Sequence, residues 1–291
     1  LEPEFFLKDA SITLVGLGLM GGSLALALKE RHLCRQVTAL VRRESAVQAA
    51  LNLGAVDVAT TDPAEAFTQA NLIIFATPVR VLLQQLPQFA PFYPAGAIIT
   101  DMGSTKQAIM QAMAALPPQV YPIGSHPMCG KETSGLEVAE ATLYQNAPWI
   151  LTPLDRTPLW VTTFMHEFAL AIGAKPRQLD AARHDKLVAT ISHFPHTLST
   201  ALVLTAMQVA HHDPVVWNVA ASGFRDTSRI AASDVTMMLD ILLTNREAVL
   251  TVLGEFDRQL LALSQALADN DEDALRALME QAAHQRRQLY R

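Results

Sequence analysis

Cysteine is scarce: Cys34 and Cys129 are the only two in 291 residues. That excludes a disulfide framework and offers no zinc-ligand spacing, so a reducing cytoplasm is the expected setting. A basic excess is also missing. The net charge of −6 argues against the basic face of a nucleic-acid binder, while leaving room for a local basic pocket that holds a small anion. Charged residues make up only 17% of the chain and hydrophobic ones 50%, which excludes a disordered composition. No signal peptide and no membrane-length apolar run stand out, so neither nucleic acid nor membrane is expected as a partner. The length predicts two domains, at about 150 residues each.

What is present starts with Ser11-Ile-Thr-Leu-Val-Gly-Leu-Gly-Leu-Met-Gly-Gly-Ser23. Ile12 to Val15 reads as a buried parallel strand, and Leu24 to Leu28 continues an apolar, Ala-rich helix. Between them Gly16, Gly18 and Gly21 form G-x-G-x-x-G, with Leu19 and Met20 at the helix start. The first glycine permits a tight turn, the second lets backbone approach a pyrophosphate, and the third lets helix and strand pack closely. The helix N-terminus offers free N–H groups to that pyrophosphate. Dinucleotide binding is the expected role.

Further strands are predicted over Gln36–Val41, Leu72–Ala76, Ala97–Thr100, Val120–Ile123, Pro148–Thr152 and Lys175–Leu179, with helical stretches between most of them. Alternation of this kind predicts a Rossmann-type, doubly wound, mainly parallel sheet with its ligands beyond the carboxyl ends of the strands. An NAD-binding chain usually carries Asp or Glu at the tip of the second strand. Here Val41 stands there, followed by Arg42 and Arg43. Guanidinium groups pair well with a 2′-phosphate, so NADP is favoured and NAD remains possible; Glu44 argues the other way, and a solvated Arg pair is the plainer alternative. Thr77, Asp101 and Ser104 lie at other strand ends, the first two as candidate cofactor ligands, and the last two also suit helix capping. His126 follows another strand within Gly124-Ser-His-Pro-Met-Cys-Gly130. Placed in a loop facing the crevice, it would titrate near neutrality and could take a proton from an alcohol.

Strand patterns vanish beyond about residue 178, which places a dinucleotide-binding domain at 1–178 and an all-α domain at 179–291. Two stretches of the helical half stand out. One runs from His184-Asp185 to His193-Phe-Pro-His196, where Asp185 and His196 share a helix face if the helix persists through Pro195. No third ligand accompanies the histidines, so no metal is expected. The other is Ser222-Gly-Phe-Arg-Asp-Thr-Ser-Arg229, where Arg225 and Arg229 are four apart. They form either a carboxylate clamp or a salt-bridged surface turn.

Taken together with Thr100-Asp-Met-Gly-Ser-Thr-Lys106 and Ser192-His-Phe-Pro-His196, these motifs resemble the prephenate/arogenate dehydrogenase family of tyrosine biosynthesis, over nearly the whole chain. The resemblance implies oxidative decarboxylation of a cyclohexadienol with a nicotinamide cofactor, and a homodimer formed through the helical domain. By motif position it implies His126 as the catalytic histidine at the substrate hydroxyl, with Ser104 hydrogen-bonding the same hydroxyl. It places Arg229 on a substrate carboxylate, Arg225 and His196 at the anionic end, and Glu132 and Asp185 as supporting or gating partners. Met238 stands where some relatives carry an aromatic residue that reaches into the neighbouring subunit. A β-hydroxyacid dehydrogenase shares the glycine pattern but needs a lysine and an asparagine on its long helix; beyond residue 178 the only lysine is Lys186. A non-enzymatic nucleotide-binding protein would leave His126 and the arginines without a common purpose.

Overall fold

The computed structural model describes residues 6–131, 133 and 135–289. Eight strands form one sheet: β1 (Ser11–Val15), β2 (Gln36–Leu40), β3 (Val58–Thr60), β4 (Leu72–Phe75), β5 (Ile98–Asp101), β6 (Tyr121–Pro127), β7 (Pro148–Pro153) and β8 (Lys175–Gln178). Their order is β3-β2-β1-β4-β5-β6-β7-β8. The pairs from β3 through to β6 are parallel, β6–β7 is antiparallel, and β7–β8 is parallel again. The first six strands thus have the doubly wound order, which reverses direction between β1 and β4 and opens a crevice at their carboxyl ends.

Six helices cross between these strands: α1 (Leu19–Glu30), α2 (Glu44–Asn52), α3 (Pro63–Phe67), α4 (Val79–Gln88), α5 (Gln107–Ala114) and α6 (Leu159–Ala171). Strand alternation divides the core into two layers. Ile12 and Leu14 of β1, with Leu72 and Ile74 of β4, face the layer that holds Leu24, Trp149 and Phe168. Val15, Ile73 and Phe75 face the other, with Phe67, Leu82 and Ile109. Leu14 and Leu24 are wholly buried, and burial of such a side chain contributes ~1.5–3 kcal/mol.

Helices follow to the end: α7 (Ala181–Val188), α8 (Phe194–His212), α9 (Ser222–Ser228), α10 (Val235–Thr244), α11 (Arg246–Ala268) and α12 (Glu272–Leu289). The chain divides into two compact units, Leu1–Asn245 and Arg246–Arg291. In the first, α7 packs on α5 and α10 packs on α4. In the second, α11 and α12 pack on each other, and α12 buries no residue.

Three details depart from the sequence-based expectations. Strand β3 was not anticipated, because three residues carry too little periodicity to register. The helix does persist through Pro195, which is harmless in the first turn of α8, but a π-helical turn over Ala189–His193 precedes it. That extra residue per turn resets the register between Asp185 and His196, and such turns gather at functional sites. The turn also fuses α7 and α8 into one continuous helix, Ala181–His212. Where no such run was expected, this helix is long and apolar enough to cross a membrane. Its exposed apolar residues include Ile191, Leu204, Met207 and Val209.

Candidate active site

Glycine loop and strand ends. Gly16 adopts φ +95, and a Cβ there would lie 2.7 Å from Cγ2 of Thr77. A Cβ on Gly21 would lie 2.2 Å from the Gly16 carbonyl oxygen, so this glycine is required by the strand–helix contact. Around Gly18 a Cβ would meet nothing within 4 Å. Gly18 also begins α1 with no side chain capping the helix, so open space and free N–H groups coincide there. Leu19 is buried and Met20 half-buried beside them. The loop therefore fits a dinucleotide pyrophosphate, by the space it leaves and by the donors it presents.

Thr77 donates its hydroxyl to Gln85 Oε1 at 2.7 Å. Arg42 and Arg43 are exposed at the end of β2. The neighbouring Glu44 accepts a hydrogen bond from Thr61 Oγ1 at 2.9 Å.

Asp101 departs from its expected role as a cofactor ligand. It is fully buried, and both carboxylate oxygens are engaged within the protein. Oδ2 pairs with the buried Lys106 ammonium and accepts the Gly103 N–H at 2.7 Å. Oδ1 accepts the Ser125 N–H at 3.0 Å, and the Ser125 hydroxyl donates back to the Asp101 carbonyl. A carboxylate used up this way pins β5 to β6 one residue before His126. Ser104 is half-buried on the loop between Asp101 and Lys106.

His126 also sits differently from expectation. Strand β6 runs on through it to Pro127, and the residue is 9% exposed, so it belongs to the sheet and not to an open loop. Its Nδ1 lies 2.9 Å from Nε2 of His184. His184 Nδ1 lies 2.7 Å from Oδ1 of Asp185. Asp185 in turn accepts the backbone N–H of Lys106 at 2.6 Å and of Gln107 at 2.9 Å. Since α5 has no side-chain cap of its own, Asp185 caps it from α7. His184 and Asp185 are both fully buried. Asp185 therefore acts through His184 and the α5 terminus, not by touching substrate.

The electrostatics keep these groups in defined states. Burial pushes the His126 imidazole well below its ordinary value, and the positive charge of Lys106 and the nearby His184 and His193 push the same way. Burial alone would raise the Asp185 carboxyl, but the bonds from His184, Gln107 and Lys106 hold it below the usual range. Burial lowers Lys106 while Asp101 and Asp185 oppose the change. His193 is pushed down to about 4 by burial, against the pull of Asp185. Its Nδ1 meets Asn245 Nδ2 at 3.1 Å, and the same amide donates to the Asp185 carbonyl at 2.8 Å.

The expected anion-binding residues are placed unequally. His196 stands in the first turn of α8, half-buried, with Nδ1 enclosed and without a partner among the described residues. Burial lowers its basicity, which disfavours a cationic form at the anionic end. Arg229 is exposed and opens a 3-10 turn, Arg229–Ala232, that packs on α8. Arg225 is not brought to His126. Its side chain is 76% exposed and pairs with Asp226, Nε to Oδ1 at 3.1 Å, so within this chain the surface-turn alternative holds for it. Glu132 lies outside the described residues. Met238 is buried within its own chain.

Among the described residues no group of His, Cys, Asp or Glu could hold a metal ion. A cavity of about 370 Å³ lies at the amino ends of β4 to β6, lined by Asn71, Gly96, Tyr121 and Trp160. It is at the opposite end of these strands from His126 and carries none of this chemistry.

A glycine-rich strand–helix turn at the switch point, together with a neutral buried histidine at a strand end of the same sheet, defines a dinucleotide-dependent oxidoreductase. Comparison with known proteins narrows the class. Residues 24–176 match the nucleotide-binding domain of prephenate dehydrogenase, and residues 180–281 match its dimerization domain. A prephenate dehydrogenase of Bacillus subtilis is 35% identical over 256 residues, which cover 87% of this chain and 69% of that one. The crystal structure of prephenate dehydrogenase from A. aeolicus, in complex with hydroxyphenyl propionate and NAD+, superposes with a TM-score of 0.90 at 26% identity, covering 97% of this chain and 99% of that one. An arogenate dehydrogenase of Synechocystis gives a TM-score of 0.84 at 30% identity, over 96% and 99%. The chain belongs to the prephenate dehydrogenase family, NAD(P)-dependent oxidoreductases of tyrosine biosynthesis that carry out oxidative decarboxylation. That membership sets aside the β-hydroxyacid dehydrogenase and non-enzymatic alternatives.

His184, Lys106, His193 and Asn245 were given no role by sequence reasoning. Their partners lie 58, 5, 52 and 60 residues away, and only the fold joins most of them. The adjacency of His184 to Asp185 was the one signal visible in the sequence.

Proposed function

We propose that this chain oxidises prephenate, arogenate or both, using NADP in preference to NAD, with residues 1–178 as the cofactor-binding domain and residues 179–291 as the helical substrate and dimerisation domain. The observation that carries the reading is the neutral, nearly buried His126 at the carboxyl end of β6, held by His184 and Asp185.

A bound nicotinamide supplies the hydride acceptor for the ring carbinol carbon. His126 accepts the hydroxyl proton as the carbonyl forms, which requires a neutral imidazole at working pH. Ser104, on the adjoining loop, hydrogen-bonds the same hydroxyl. Arg229 holds a substrate carboxylate, with His196 supporting the same end. Glu132 and Asp185 are supporting groups, the latter through His184. Loss of the ring carboxylate as CO2 follows from electron withdrawal by the new carbonyl, and aromatisation makes the step irreversible.

The cofactor is held by Gly16, Gly18, Leu19, Met20, Gly21 and Thr77, with Arg42 and Arg43 toward a 2′-phosphate. The engagement of Glu44 by Thr61 supports NADP, since it gives the one nearby acid another partner. The half-buried Cys34 and Cys129 are both free thiols, which suits a cytoplasmic enzyme. Steady-state rates on prephenate and on arogenate, each with NAD and with NADP, test the assignment. Turnover of at least one substrate, faster with NADP at low cofactor, is expected; no turnover of either would reject it.

A further inference from the structure

His184 is fully buried, and both of its ring nitrogens are engaged. It lies edge-on to His126, with ring centroids 5.1 Å apart and planes at 67°. A buried imidazole that never touches substrate needs a reason to be there, and the hydrogen-bond polarity of the chain supplies one.

A carboxylate can only accept, so Asp185 Oδ1 takes the proton of His184 Nδ1–H. Asp185 is itself fixed as a carboxylate by the two amide N–H groups of Lys106 and Gln107. With a single ring proton, held on Nδ1 by Asp185, His184 offers Nε2 as a lone-pair acceptor. The group 2.9 Å away, His126 Nδ1, must then be the donor. His126 consequently carries its proton on Nδ1 and its lone pair on Nε2. That Nε2 makes no hydrogen bond with the described residues, and it is not among their enclosed unpartnered atoms. It is the nitrogen left to meet a substrate hydroxyl.

We propose that His184 is the positioning residue that fixes the Nδ1–H tautomer of His126, through the chain Asp185–His184–His126, so that the basic nitrogen of His126 faces the substrate. Without an acceptor at Nδ1, a neutral imidazole in this place is free to take the other tautomer, whose Nε2–H repels the hydroxyl proton it should receive. A protonated His184 would reverse the chain and produce the same wrong tautomer. The proposal rests on reading His126 as the base, but its test reads the proton position directly and does not depend on turnover.

The test is 15N–1H correlation spectroscopy of the full-length protein with labelled histidine, the His126 signals being assigned by their loss in His126→Asn. A protonated Nδ1 and an unprotonated Nε2 at His126 near neutral pH are expected. A protonated Nε2 with an unprotonated Nδ1 would overturn the proposal, whatever the activity. Two variants supply the kinetic arm. In His184→Gln the amide can still donate to Asp185 and accept from His126; in His184→Leu nothing can accept. His184→Leu should lower kcat roughly 10-fold to 100-fold, part of the ~10²–10⁴ that a positioned base supplies. Its KM and cofactor Kd should stay within about threefold, and His184→Gln should recover most of the loss. Equal losses in the two variants, or a loss confined to KM, would show His184 to be structural only and would overturn the positioning role.

Discussion

Gly16 and Thr77 approach so closely that a methyl group on the glycine would lie 2.7 Å from the threonine Cγ2. This contact joins the end of β1 to the end of β4, the two strands that flank the switch point. The same glycine holds φ +95, a region in which side chains other than glycine are strained. Gly18, two residues on, has neither constraint. Gly16→Ala should therefore lower stability by ~1–3 kcal/mol, read as a shift in the urea midpoint without ligand. Gly18→Ala should fold like the parent yet bind dinucleotide more weakly, because the space around it is reserved for ligand. Equal stability of Gly16→Ala and the parent, or unchanged affinity in Gly18→Ala, would contradict this division.

The exposed arginines after β2 give a second expectation. If Arg42 and Arg43 meet a 2′-phosphate, replacing both with alanine should weaken NADP at least tenfold and NAD hardly at all, about one charge-assisted hydrogen bond lost. Titration of each cofactor against the purified double variant measures this, and equal losses would remove the phosphate clamp.

Arg229→Ala should chiefly raise the substrate KM, roughly tenfold or more, the scale of a lost charge-assisted bond. Steady-state kinetics separate this from kcat. An unchanged KM would move the carboxylate site elsewhere. Arg225→Ala, by contrast, removes a side chain that is 76% exposed and paired with its neighbour Asp226, and the stability of the single chain should hardly change.

Acid should loosen the fold through its buried neutral histidines. His193 is lowered from 6.5 to about 4 by burial, and His126 is lowered from the same starting value. Below pH 6.5 the unfolded chain takes up protons that the folded chain refuses, so stability is full above 6.5 and is lost as pH falls toward the folded values. For His193 the window runs from about 6.5 down to about 4 and amounts to on the order of 3 kcal/mol. Thermal unfolding from pH 7.5 to 4.5 should show His193→Gln with a shallower decline in Tm than the parent. Parallel declines would mean that His193 does not titrate in this window.

Much of the nucleotide-binding half was legible because its signals are local. An apolar run before G-x-G-x-x-G, and strands alternating with helices, state their own geometry, and the sheet followed that reading apart from the short β3. His126 was legible as a residue type at a strand end, but not as a member of β6, since proline next to it suggested a loop. Asp101 was misjudged because a carboxylate at a strand end looks alike whether it faces ligand or lysine. Only the fold shows that Lys106, five residues later, turns back to pair with it. The π turn before Pro195 left no mark in the residues, and with it went the register between Asp185 and His196. The arginines were the least legible, because a guanidinium pair four residues apart suits a clamp and a surface turn equally.

The account turns on His126 as the base that receives the substrate proton, and His126→Asn tests it most directly. Single-turnover and steady-state rates on prephenate and arogenate should fall by about two orders of magnitude or more. Dinucleotide affinity, measured on the same preparation, should stay within about threefold of the parent. Near-normal turnover in a well-folded His126→Asn protein would contradict the account.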